Sequence, residues 1–130
     1  MPQFNGIILI LRGMLAERLY KEEAAEIAYR KSVETGFNLF AWYRLIKLYG
    51  SKKSCKAVMV CVGEVLEEFE HDGLKINGSL PRWIEEIVLD CIAEIGIKKF
   101  YELLKELNLI NDAMNKLVRE AENWKITFKN

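Results

Sequence analysis

Ala41-Trp42-Tyr43-Arg44-Leu45-Ile46-Lys47-Leu48-Tyr49-Gly50 is the stretch on which the fold turns. Its apolar residues return three and four positions apart, the period of one helix face, and a glycine follows. Upstream runs Lys21-Glu22-Glu23-Ala24-Ala25-Glu26-Ile27-Ala28-Tyr29-Arg30-Lys31-Ser32-Val33-Glu34-Thr35-Gly36-Phe37. This is a second amphipathic pattern, with Gly36 placed as a left-handed helix terminator and Asn38 as a cap for the next helix. Helix, glycine stop, helix is a hairpin. A hairpin cannot bury its apolar stripe alone, so it stacks on further hairpins.

The same reading extends in both directions. A first helix is expected over 5–20, with Ile8, Leu11, Leu15 and Leu19 as its stripe. The second covers 22–34, with Ala24, Ala25, Ile27, Ala28 and Val33 facing inward. The third covers 39–49 and ends at Gly50. Ser51 or Ser54 starts a fourth, which reaches Phe69 through Val58, Val62, Val65 and Leu66. Asp72-Gly73 and Asn77-Gly78 mark the one sizeable loop. Pro81 opens a fifth helix, with Trp83, Ile84, Ile87, Val88, Cys91 and Ile92 inward and Gly96 as its end. A sixth helix over 98–107 stops at Asn108. A seventh starts at Asn111 or Asp112 and runs to Trp124, and the alternating tail over 124–128 is expected to be extended or frayed. The expected fold is all-α: about seven helices stacked as antiparallel hairpins in a short right-handed α-solenoid. It forms one domain, 1–130, that belongs to a larger protein or assembly.

Composition narrows the function. In 130 residues, 51% are hydrophobic, which argues against disorder. Lys plus Arg and Asp plus Glu are 19 each, so the basic surplus that polyanion binding usually requires is missing. Cys55, Cys61 and Cys91 lie in apolar helical patterns without metal-ligand spacing and read as buried thiols of a reducing compartment. Ile7-Ile8-Leu9-Ile10-Leu11 is cut short by Arg12, too early for a signal peptide or a membrane span. The expected location is intracellular, cytoplasm or nucleus. His71 has no nucleophile beside it, and the chain has no phosphate-binding glycine loop. No enzyme activity, cofactor or metal is expected.

The chain also repeats itself. A slide of 58 residues places Tyr43 on Tyr101, Leu45 on Leu103, Ile46 on Leu104, Lys47 on Lys105 and Gly50 on Asn108. Phe4-Asn5-Gly6-Ile7-Ile8, Lys21-Glu22-Glu23-Ala24, Glu34-Thr35-Gly36-Phe37 and Tyr43-Arg44-Leu45-Ile46-Lys47-Leu48-Tyr49-Gly50 resemble a pentatricopeptide repeat. Gly13, Ala25, Tyr29 and Ser32 are similarly placed to a tetratricopeptide motif. The likeness covers about the first 75 residues. Pentatricopeptide resemblance implies single-stranded RNA binding, with Asn5 and Arg44 in the positions that would read bases. Tetratricopeptide resemblance implies a groove for a peptide or helix.

Zero net charge favours the protein partner, or a second copy of the chain, over RNA; a helical-bundle regulatory protein unrelated to repeats is the third reading. The candidate contact residues are the aromatic group Phe37, Phe40, Trp42 and Tyr43, of which one or two should stay exposed. To these are added apolar residues of the end helices: Ile7, Ile8 and Leu11 at one end, Leu117, Val118 and Trp124 at the other. An array this short has two open ends, and open ends expose core.

Overall fold

The computed structural model describes residues 2–35, 39–52, 54–71 and 80–129, with side chains placed for 5–35, 39–52, 54–70 and 80–123. Seven α-helices and no strand occur among these residues: α1 Pro2–Arg18, α2 Glu22–Glu34, α3 Leu39–Ser51, α4 Cys55–His71, α5 Arg82–Ile95, α6 Ile97–Glu106 and α7 Asp112–Lys129. They form two compact units, Met1–Cys61 and Val62–Asn130, whose boundary falls inside α4. The expected Gly36 stop, the Asn38 cap and the Asp72-Gly73 and Asn77-Gly78 turns lie outside the described residues.

In the first unit α1 and α2 run antiparallel. Gly6 meets Ser32, whose hydroxyl donates to the Gly6 carbonyl at 2.8 Å, and Gly13 meets the ring of Tyr29. The reversal between them is a Schellman turn. Lys21 N–H bonds to Ala16 O at 2.8 Å and Tyr20 N–H to Glu17 O at 3.0 Å, with Tyr20 left-handed at φ 59°. A tyrosine in that conformation costs roughly 1–2 kcal/mol that a glycine would not. Arg30 and Glu26 both reach Tyr49, while Tyr29 reaches Arg44, so α2 and α3 are antiparallel as well.

The face that α1 buries differs from the expected one. Leu11, Leu15 and Leu19 are 60%, 58% and 56% exposed, whereas Gly6, Ile10 and Gly13 are buried. The cause is the glycine pair. Close approach to α2 is possible only where α1 has no side chain, and that face lies roughly opposite Leu11. Likewise Ala24 and Ile27 of α2 point outward, and the bulky core contribution comes from Tyr29.

α3 extends one residue beyond Gly50, whose φ is not in the left-handed region, and Ser51 Oγ closes the helix end by donating to Leu48 O at 2.7 Å. Ser54 starts α4 by accepting the Ala57 N–H at 3.4 Å.

In the second unit α5, α6 and α7 each pack against the other two. Ile84, Val88, Phe100, Leu104 and Met114 are fully buried there, each contributing on the order of 2 kcal/mol. Gly96 alone joins α5 to α6. It is the last cap of one and the first cap of the other, at φ 88°, ψ 157°. Asn108 ends α6 in a second Schellman turn, with Leu109 N–H on Leu104 O at 2.8 Å and Asn108 at φ 57°. Asn111 Oδ1 caps α7 by accepting Met114 N–H at 2.9 Å.

Two expectations for α7 are overturned. The segment over 124–128 is helical, since α7 continues to Lys129. Leu117 and Val118 are 4% and 7% exposed and belong to the core rather than to an open end, because they fall on the same face of α7 as the buried Ala113 and Met114.

Lys47 Nζ lies 5.7 Å from the Tyr43 ring and Lys105 Nζ lies 5.0 Å from the Tyr101 ring, the same cation–π pair one helical turn apart in α3 and α6. Leu45, Ile46, Leu103 and Leu104 are buried beside them.

Candidate functional site

Two features of the first unit carry chemistry beyond packing. The first is a pair of Glu–Tyr–Arg networks. Tyr29 Oη donates to Glu17, Arg44 Nε donates to Tyr29 Oη at 3.3 Å, and an Arg44 terminal nitrogen meets Glu17 Oε2 at 2.5 Å. One residue each from α1, α2 and α3 is tied. In the second network Tyr49 Oη donates to Glu26, and Arg30 donates to Tyr49 Oη at 3.4 Å and to Cys61 Sγ at 3.6 Å. Lys52 Nζ adds an ion pair to Glu26 at 3.9 Å. This network ties α2, α3 and α4.

The electrostatics are those of a brace. Burial, then the hydrogen bond to Glu17, pushes the Tyr29 hydroxyl up to about 12, although Arg44 pulls the other way. Tyr49 is raised for the same reasons, burial first and Glu26 second, against Arg30. Arg44 is raised by its bond to Tyr29 and, less, by Glu17. Both tyrosines therefore stay protonated as donors. A phenol held neutral between a carboxylate and a guanidinium is neither a nucleophile nor a ready base.

The second feature is the outer face of α1. Ile7, Leu11, Leu15 and Leu19 follow one another at intervals of four and are 54%, 60%, 58% and 56% exposed. At a rise of 1.5 Å per residue the ridge is roughly 18 Å long. Ile8 and Met14 flank it half-buried, and Arg12 and Arg18 are exposed charges on the same outer face. α1 is thus apolar on its docked side through Ile10 and again on its outer side. A helix apolar all round is normally covered all round.

The residues singled out from sequence divide sharply. Leu11 belongs to the exposed ridge, and Phe40 is 51% exposed in the first turn of α3. Tyr43 is half-buried under Lys47. Trp42 is buried at 4%, so it offers no surface; its Nε1–H has no acceptor among the described residues. Leu117 is buried, as described. Phe37 lies outside the described residues, as does the side chain of Trp124. Asn5 is exposed near the start of α1, but Arg44 is bound to Glu17 near the end of that helix. Twelve positions along α1, roughly 18 Å, separate Asn5 from Glu17.

Nothing in the sequence marks Glu17, Glu26, Arg30, Tyr29 and Tyr49 as members of polar networks. Their partners come from other helices, and a Tyr-Arg pair at 29 and 30 carries no local signature of such pairing.

The second unit holds two recesses beside the Gly96 corner. A groove of about 910 Å³ touches Lys98, Lys99, Tyr101 and Glu122. A smaller one, of about 460 Å³, is lined by Leu89, Asp90, Ile92, Ala93, Ile97 and Ala121 beside Gly96. Among the described residues no three metal-ligating side chains come together, and no helix is long and apolar enough to cross a membrane.

The chain matches no protein-family model, no curated protein and no solved structure.

Proposed function

We propose that this chain is a non-catalytic protein-interaction module built of helical hairpins in the tetratricopeptide manner, and that it receives its protein partner on the outer face of α1. The observation that carries this reading is the unbroken exposed ridge Ile7, Leu11, Leu15 and Leu19. Apolar surface gains about 25 cal/mol for each Å² removed from water, and such a ridge is a standing source of that gain for an arriving helix. The braced Glu–Tyr–Arg networks beneath support it, because a partner that meets a rigid face loses less entropy on binding. RNA binding fits less well, since Arg44 is committed to Glu17 and Tyr29.

The test is a photoreactive phenylalanine analogue at position 15, activated in cells of the protein's source. Protein adducts that vanish with Leu11→Glu are the expected result. Adducts to RNA, or none at all, would overturn the reading.

A further inference from the structure

Beyond the interaction reading, we infer that the two recesses at the Gly96 corner are halves of one small-molecule site. Its ligand is a soluble aliphatic chain ending in a single anionic head, of the fatty carboxylate class. The site lies wholly within the second unit and draws on no residue of α1.

Small residues make the space. The end of α5, the start of α6 and the 118–122 stretch of α7 meet here. Gly96 has no side chain, and a Cβ placed on it would meet nothing within 4 Å. Ala93 from α5 and Ala121 from α7 each add only a methyl group to the smaller recess. Gly96 and Ile97 line both recesses, so a ligand lying across this corner reaches the two at once. Their volumes, about 460 and 910 Å³, are those of small-ligand sites.

The lining sorts the two ends of the ligand. In the smaller recess every lining side chain except Asp90 is aliphatic, and none of the described lining residues is aromatic. Methyl and methylene groups of this kind accept a flexible chain, and its removal from water supplies the affinity. The Asp90 carboxylate turns an anionic head away from this end. The wider groove has the opposite sign, with Lys98 and Lys99 set against the single acid Glu122. No ion pair among the described residues neutralises either lysine. The first turn of α6 contains no acidic residue, so the positive end of its dipole adds to the two ammonium groups. Tail among the aliphatic side chains and head beside the lysines is the orientation that satisfies both ends.

Amide resonances of the isotope-labelled full chain, followed through titrations, test this. Octanoate should shift the signals of Gly96, Ile97 and Ala121 saturably, with a Kd below about 1 mM. Acetate, the head without the tail, should give no saturable shift up to about 10 mM. 1-Octanol, the tail without the charge, should bind at least about tenfold more weakly than octanoate. Lys98→Gln combined with Lys99→Gln changes two exposed residues and should keep the helical circular dichroism. It should weaken octanoate at least about tenfold and leave 1-octanol unchanged. Ala93→Phe, also at an exposed position, fills the smaller recess and should weaken both ligands. No saturable shift with octanoate overturns the inference. So do equal affinities for octanoate and 1-octanol, or a double lysine variant or an Ala93→Phe chain that binds octanoate as the wild type does. Shifts centred on Leu11 and Leu15 instead of Gly96 would move the apolar ligand to the α1 ridge and overturn it as well.

Discussion

The ring of Tyr29 fills the space that a side chain at residue 13 would need: a Cβ placed on Gly13 would lie 2.7 Å from Tyr29 Cδ1 and 2.8 Å from Cζ. Tyr29 cannot swing aside, because it is fully buried and its hydroxyl is bonded to Glu17 and Arg44. Gly13→Ala should therefore destabilise the chain by about 2–4 kcal/mol, by overpacking and by loss of the network together. Urea unfolding followed by circular dichroism measures it. A loss below about 1 kcal/mol would mean that α1 can shift on α2.

Two other glycines should respond in opposite directions. Gly50 lies in the last turn of α3 with an ordinary helical φ, and a methyl group there would meet no described atom within 4 Å. Gly50→Ala should stabilise by about 0.5–1 kcal/mol, through the entropy of the unfolded chain. Gly96 has equal room but φ 88° and ψ 157°, a conformation essentially reserved for glycine. Gly96→Ala should cost about 1–3 kcal/mol. Thermal melts of the two variants should bracket the wild type.

Alkaline pH should weaken the first unit before it touches the helices themselves. The Tyr29 hydroxyl is raised from 10.0 to about 12 in the folded state. Between those values the unfolded chain has lost a proton that the folded one keeps, so folding takes up a proton and stability falls as pH rises. Below pH 10 the contribution is fully present. Two units would be worth about 2.7 kcal/mol in a sealed site. Glu17 and Arg44 keep 26% and 29% exposure, so solvent screening reduces this to on the order of 1 kcal/mol. Unfolding midpoints between about pH 9 and 12, compared with Tyr29→Phe, separate this loss from general base denaturation.

Arg44 should be coupled to both of its partners. Arg44→Met keeps most of the stem and removes the fork, at an expected cost of about 1–2 kcal/mol. In a double-mutant cycle with Tyr29→Phe the two losses should fall short of additive by about 0.5–1.5 kcal/mol. Strict additivity would show that the 3.3 Å contact contributes nothing to stability.

Trp42 offers a substitution that should do little harm. Its indole N–H is buried with no acceptor among the described residues, a condition that costs about 1–3 kcal/mol relative to a bonded one. Trp42→Phe removes the donor and some packing volume together. The net change in stability, read from denaturant unfolding, should lie within about 1 kcal/mol of zero, well short of the usual loss for shrinking a core aromatic.

What could be read from the chain was whatever its chemistry settles locally. Gly96, Asn108 and Asn111 act within four residues of themselves, and each stops or starts a helix where its side chain, or lack of one, leads one to expect. The pairing of Tyr43 with Lys47 and of Tyr101 with Lys105, each four residues apart on one helix, is local in the same way. The docked face of α1 was not. Apolar residues surround that helix, so periodicity offers two faces, and the choice between them rests on Gly13 meeting a tyrosine sixteen residues away. The burial of Leu117 and Val118 depended likewise on neighbours from α5 and α6, and Glu17 finds Arg44 only once three helices are assembled.

The two networks also have a consequence for how the first unit comes apart. Their bonds span 12 residues from Glu17 to Tyr29, 27 from Glu17 to Arg44, 23 from Glu26 to Tyr49 and 31 from Arg30 to Cys61. All but one of these bonds begin or end on α2, and the exception joins partners that α2's Tyr29 already bridges. Peeling away α1 or the first two turns of α4 breaks one network, whereas freeing α2 or α3 breaks both at once. The amides of α2 and α3 should accordingly exchange with solvent deuterium later than those of α1, opening only with the cooperative loss of the whole.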